Sequence, residues 1–149
     1  MVAALAVTTA TTLTGCTSIP ADAAGTLDRA RGGTLVVGVS EHHPWTDVSP
    51  DRRYSGSEVE LLESFADSID AEIEWHAAPE SVLAGRIKND LLDVVIGGLT
   101  TSTPWTTHMA ITRSYAQVDG ENMVMGVRMG ENELMVALER HLAQEHGEI

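Results

Sequence analysis

Leu92-Asp93-Val94-Val95-Ile96-Gly97-Gly98-Leu99-Thr100 is the stretch on which the reading of this chain turns. A short, nearly unbroken apolar run stopped by two glycines is the pattern of a central parallel strand buried on both faces. Thr34-Leu-Val-Val-Gly-Val-Ser40, bounded by Gly32-Gly33, has the same character, and Ala71 to His76 alternates as a strand does. Between these runs the period changes. Val59, Leu62, Ala66 and Ile69 recur on one face of a helix beginning at Ser57, where Ser57-Glu58-Val59-Glu60 predicts a capping box. Leu83, Ile87 and Leu91 supply the buried stripe of a second helix, opened by Pro79-Glu80 and ended at Asn89-Asp90.

The order strand, helix, strand, helix, strand predicts an α/β fold: an open, mostly parallel sheet flanked by helices, with right-handed crossovers. Further on, Met123 to Arg128 reads as another strand. A last helix starts at Gly130 or Asn132, with Leu134, Leu138 and Leu142 on its inner face. In open sheets of this kind ligands bind beyond the carboxyl ends of the strands. Two segments meet that condition, Glu41 to Trp45 after the first strand and Gly97 to Ser102 after the third. Their glycines either admit a ligand to the backbone or merely shape a surface loop, and spacing alone leaves both open.

The chain has 149 residues, room for one domain with a real core, and a formal net charge of −13. That charge repels phosphate backbones and anionic lipid surfaces, so no nucleic-acid partner is expected. Its six histidines form no HExxH and no i, i+4 helical pair, and there is one cysteine, so no metal site is expected. Nucleotide-binding glycine patterns and a nucleophile elbow are missing too, which predicts neither a cofactor nor an enzyme. The acids Glu58/Glu60 and Glu131/Glu133 read as helix-start residues complementing the dipole, and the methionines as core filler.

Residues 1–21 carry only uncharged side chains, and the short apolar run ends in Leu13-Thr14-Gly15-Cys16, which resembles the lipobox of bacterial lipoproteins. The resemblance implies a signal peptide over residues 1–16, lipidation of Cys16 and an exported protein held at the outer face of the cytoplasmic membrane. One departure is that no Lys or Arg precedes the apolar run. Residues 17–32, rich in Ser, Pro, Ala, Asp and Gly, are expected to be a flexible tether.

Several motifs, in order, are similar to the first lobe of family 3 extracellular solute-binding proteins, the polar amino-acid binders of ABC importers. They are Thr34-Leu-Val-Val-Gly-Val, Pro44-Trp45, Gly56-x-Glu58-Val59-Glu60-Leu61, Leu92 to Thr100, and Ile111-Thr112-Arg113-Ser114-Tyr115. Gly130 to Leu138 resembles the helix with which such proteins return to that lobe. The resemblance implies a single lobe over residues 33–149: a first-lobe core (33–115), a short connection (116–130) where relatives carry a second lobe, and a closing helix (131–146). The ligand contacts it implies fall on His42, Gly97, Gly98 and Thr100, with Trp45 in the same loop. Trp105 stands where many relatives carry the Arg that grips an α-carboxylate, and an indole cannot make that bidentate pair. It could stack on a ring or a cationic group instead. The implied function is binding of a small polar solute, an amino acid or amine, for an ABC permease. A module that docks another protein or pairs with a second copy is the alternative; an enzyme acting through Glu41 is the third.

Overall fold

The computed structural model describes residues 21–147. In chain order the elements are α1 (Thr26–Ala30), β1 (Thr34–Val39), β2 (Asp47–Val48), β3 (Tyr54–Ser55), α2 (Ser57–Ser68), β4 (Glu72–Ala77), α3 (Glu80–Lys88) and β5 (Val94–Ile96). There follow β6 (Ala110–Ile111), β7 (Ala116–Val118), β8 (Glu121–Met123), β9 (Gly126–Val127) and α4 (Asn132–His146). The main sheet has the order β4-β1-β5-β9-β6. β1 pairs in parallel with both β4 and β5, while β9 runs antiparallel between β5 and β6. The expected mostly parallel sheet with flanking helices is what forms.

Alternation along the central strands sorts side chains to two layers. Val94 and Ile96 join Leu35, Val37 and Val39 in a core capped by α1, α2 and α4, to which Phe65, Leu134, Leu138 and Leu142 contribute. Val95 points the other way, to Leu83, Ile87, Leu92, Leu99 and Met109 beneath α3. Both faces of β5 are therefore dry, which explains its unbroken apolar run.

Four local expectations are revised. Ser57 is the first helical residue of α2 and Gly56 its N-cap, with no side-chain cap bond, so the capping box does not form. Leu91 is 62% exposed: α3 ends at Lys88, and the left-handed turn at Asp90 swings Leu91 outward and Leu92 inward. The strand expected over Met123 to Arg128 divides, Met123 ending β8 and only Gly126–Val127 entering the main sheet. Residues 22–32 of the expected tether belong to the folded body, for Leu27 and Ala30 are buried in the main core. Cys16, the expected signal segment and residues 17–20 lie outside the described residues.

A polar network fastens this N-terminal segment near the start of the parallel strands. Asp22 accepts hydrogen bonds from the Glu133 and Leu134 amides at 2.6 and 2.9 Å, opening α4, and from the Leu27 amide of α1 at 2.8 Å. Glu131 does the converse, accepting from the Ala24 and Thr26 amides at 2.9 and 3.1 Å. Beside them, buried Asp93 accepts from the Val36 amide and pairs with Arg29 at 2.6 Å. Carboxylates at helix starts meet otherwise orphaned N–H groups, so each end of the chain supplies the other's cap.

Candidate functional site

At the opposite pole, the carboxyl ends of β1 and β5, the two loops singled out by the sequence meet. The loop after β1 is knotted internally: the His42 amide donates to Thr46 O, the Trp45 amide to His42 O, and the Thr46 hydroxyl to Ser40 O. Trp45 anchors it by packing against the main core, and the Glu58 amide at the start of α2 donates to Trp45 O. These contacts hold the His42 ring over the second loop. Its Nδ1 lies 3.0 Å from Gly97 O, and its edge meets Trp45 at a centroid distance of 5.1 Å. A carbonyl only accepts, so Nδ1 carries a proton in this contact.

Gly98 must be glycine here. Its φ is +67°, and a Cβ would sit 2.8 Å from His42 Nδ1. The amides of this turn are engaged from within the protein. The Gly97 and Gly98 N–H groups both point inward and donate to Glu58 Oε2, at 2.8 and 3.0 Å. The other carboxyl oxygen of Glu58 accepts from the Tyr115 hydroxyl at 2.5 Å. Glu58 is fully buried, and this desolvation pushes its carboxyl above the ordinary carboxylate range against the opposing pull of the Gly98, Tyr115 and Gly97 bonds and of nearby His42. Burial and the neighbouring Glu58 charge push the Tyr115 phenol upward in turn, so it stays a donor.

Glu58 and Tyr115 were missed as organisers of the site. Glu58 reads as an ordinary first-turn acid, yet Leu62 and Phe65 follow it at i+4 and i+7, which places it on the buried face of α2. That spacing was the available signal. Thr100 is half-buried beside Met123, and its hydroxyl accepts from the Ser102 amide at 3.3 Å. Trp105 is half-buried against the second core, edge-on to His108, and its indole N–H donates to Glu80 at the start of α3. The indole is thus pinned by its N–H to the start of α3.

Along the same pole runs a groove of about 510 Å³ between the ends of β1 and β4, lined by Val39, Ser40, Glu41, Val48, Pro79 and Glu80 among others. Its lining combines apolar side chains with two carboxylates. Among the described residues no three His, Cys, Asp or Glu side chains gather as a metal set.

Within the segment expected to be a short connection, residues 116–123 form a tight hairpin, β7 against β8. Asp119 and Gly120 make its two-residue turn with φ of 51° and 84°, the positive pair that matches strand twist. The hairpin is tied to the second site loop through Thr101 N to Asn122 O and Val124 N to Leu99 O.

Comparison with known proteins supplies the context. No curated protein sequence matches the chain. Among solved structures, the arginine-bound form of domain 1 from TmArgBP is similar with a TM-score of 0.69 and 22% identity, over 78% of this chain and 97% of that one. An ancestral amino acid-binding protein, AncCDT-1, a precursor of cyclohexadienyl dehydratase, gives a TM-score of 0.70 at 13% identity, over 80% and 92%. A putative binding component of an ABC transporter from Wolinella succinogenes, complexed with lysine, gives 0.51 at 19% identity, over 56% and 36%. These likenesses establish the fold. The family model for bacterial extracellular solute-binding proteins, family 3, matches residues 35–144. The chain belongs to that family, as a shortened member built on the first of its two lobes.

Proposed function

We propose that the strand-tip face, organised by His42 over Gly97 and Gly98, binds a small polar solute without chemical change, as the binding component of an ABC importer or its shortened derivative. The observation that carries this reading is the 3.0 Å contact between His42 Nδ1 and Gly97 O, which joins the two loops into one rigid ledge. On this reading His42, Trp45, Thr100 and the Gly97-Gly98 turn shape the ledge, and Trp105 borders it through Glu80. The residues at the ledge offer acceptors and apolar surface rather than a nucleophile poised beside a base, which favours binding over catalysis. An exported location with a lipid anchor at Cys16 accompanies the proposal, as does a permease partner. The named neighbours bind arginine and lysine, which supports an amino acid or amine as the solute class.

Thermal-shift screening against the amino acids, their amines and short peptides tests the reading. At least one saturable rise in melting temperature is expected, growing with ligand as mass action requires. A flat response across the set would defeat it.

A second reading rests on the hairpin. Family clamps close two lobes around a ligand, and here β7 and β8 seal the lobe where the second would leave it. One wall then faces solvent, and a second copy across it would rebuild a cleft. Light scattering behind size exclusion should then show a dimer; a clean monomer at high concentration counts against this pairing.

A further inference from the structure

We infer that the groove between the ends of β1 and β4 selects organic cations, a protonated amine or guanidinium on an apolar stem, and does not require a carboxylate on the solute. This rests on the reading of the strand-tip face as a solute site and narrows its ligand class. A solute carboxylate needs N–H donors or a cationic side chain. The paired amides that the glycine turn would offer, Gly97 and Gly98, are turned inward onto Glu58. The indole N–H of Trp105 is held by Glu80. None of the side chains lining the groove is a lysine or arginine.

What the pole presents instead is a set of acceptors. Glu41 is exposed and has no hydrogen-bond or ion-pair partner among the described residues. Glu80 retains a second carboxylate oxygen beyond the one facing Trp105. His42, with Nδ1 donating to Gly97 O, offers a lone pair on Nε2 whenever its ring is neutral. Ammonium brings three donors and guanidinium five, with no acceptor to be left unmatched. Val39, Val48 and Pro79 give the groove an apolar wall for a methylene stem. A solute carboxylate brought to the same rim would meet Glu41 and Glu80, with the Ser40 hydroxyl as the one donor among the lining side chains. The net charge of −13 adds a long-range pull on cations and a push on anions.

The test is isothermal titration of the full chain with matched pairs differing only by the carboxylate: arginine and agmatine, ornithine and putrescine, lysine and cadaverine. Glutamine and glutamate complete the set. The decarboxylated member of each pair should bind at least as tightly as its amino acid. Glu41→Gln and Glu80→Gln should each weaken it by about tenfold or more, with melting temperature unchanged, as expected for a lost charge-assisted bond. The side-chain carbonyl introduced by Glu80→Gln would still accept from Trp105, so that variant keeps the indole in place. Arginine binding about tenfold tighter than agmatine, a carboxylate contact in favour of the amino acid, overturns the inference. Binding confined to glutamine or glutamate also overturns it while leaving the solute-binding reading intact. Silence across the whole set removes both.

Discussion

The Tyr115 hydroxyl lies 2.5 Å from Glu58 Oε1, joining residues 57 positions apart in a site closed to water. Together with the two glycine amides on Oε2, this gives one buried carboxyl three donors. Glu58→Ala removes the acceptor for all three and should cost about 3 kcal/mol or more, since each stranded buried group costs about 1–3 kcal/mol. Glu58→Gln preserves an acceptor for the glycines and presents an NH2 to the phenol oxygen, so it should recover most of that loss. Urea denaturation of the two variants checks the pair; equal losses would show that shape, rather than hydrogen bonding, is what the site needs.

Acid and base should act on the two buried glutamates in opposite senses. The Glu58 carboxyl is held above its ordinary 4.5, chiefly by desolvation. The folded state then binds that proton more tightly than the unfolded chain. Its contribution is complete below pH 4.5 and is lost as pH rises through the raised value. Glu131 behaves the other way. Burial pushes it up, but the Thr26 hydroxyl, the Ala24 and Thr26 amides and the Arg128 charge outweigh that and hold it below 4.5. Its contribution is present above 4.5 and lost as pH falls through the lowered value. Stability measured across pH should flatten on the alkaline side in Glu58→Gln and on the acid side in Glu131→Gln.

Adjacent leucines should differ sharply. Leu92 is buried under α3, and Leu92→Ala should cost about 2–5 kcal/mol. Leu91, largely exposed, should change stability by no more than about 0.5 kcal/mol when replaced by Ala. Comparable losses at both would mean that β5 enters the sheet one residue out of register.

Gly98→Ala should separate fold from function. The added methyl must occupy a left-handed position and displace the His42 ring, which costs about 1–2 kcal/mol in backbone strain alone. Solute affinity should fall much further than stability, because His42 is then lifted from Gly97 O. Calorimetry for binding and denaturation for stability, on the same preparation, make the comparison.

Loss of Asp22 should be felt at both ends of the chain. Asp22→Ala uncaps α1 and α4 together, and a lost cap costs about 0.5–2 kcal/mol. Limited proteolysis should then cut first within residues 22–32.

Periodicity carried much of the architecture: both central strands, α2, α3 and the Leu134-Leu138-Leu142 face of α4 were readable because each buries a regular stripe. The strand-tip meeting of the two loops also followed, since parallel connections oblige both to leave the sheet at one end. Three things were hidden for a common reason. Glu58 and Asp22 look like surface acids until residues 97–98, 115 and 131–134 are brought beside them, and no local pattern announces a partner so distant. The inward turn of the Gly97 and Gly98 amides was likewise invisible, because glycine spacing reports freedom of the backbone and not the direction its N–H groups take. The Asp119-Gly120 hairpin, by contrast, was within reach, as Asp-Gly between short β-rich runs is a strong turn signal.

The reciprocal caps also order events in time. Since Asp22 seats the start of α4 and Glu131 seats the start of α1, neither terminus of the described body can settle until the ribosome has made both. A nascent chain halted before Glu131 would hold α1 without its acceptor and leave the main core without Leu134, Leu138 and Leu142. Such a chain lacks both the reciprocal caps and the α4 side of its core until residues 131–142 have emerged.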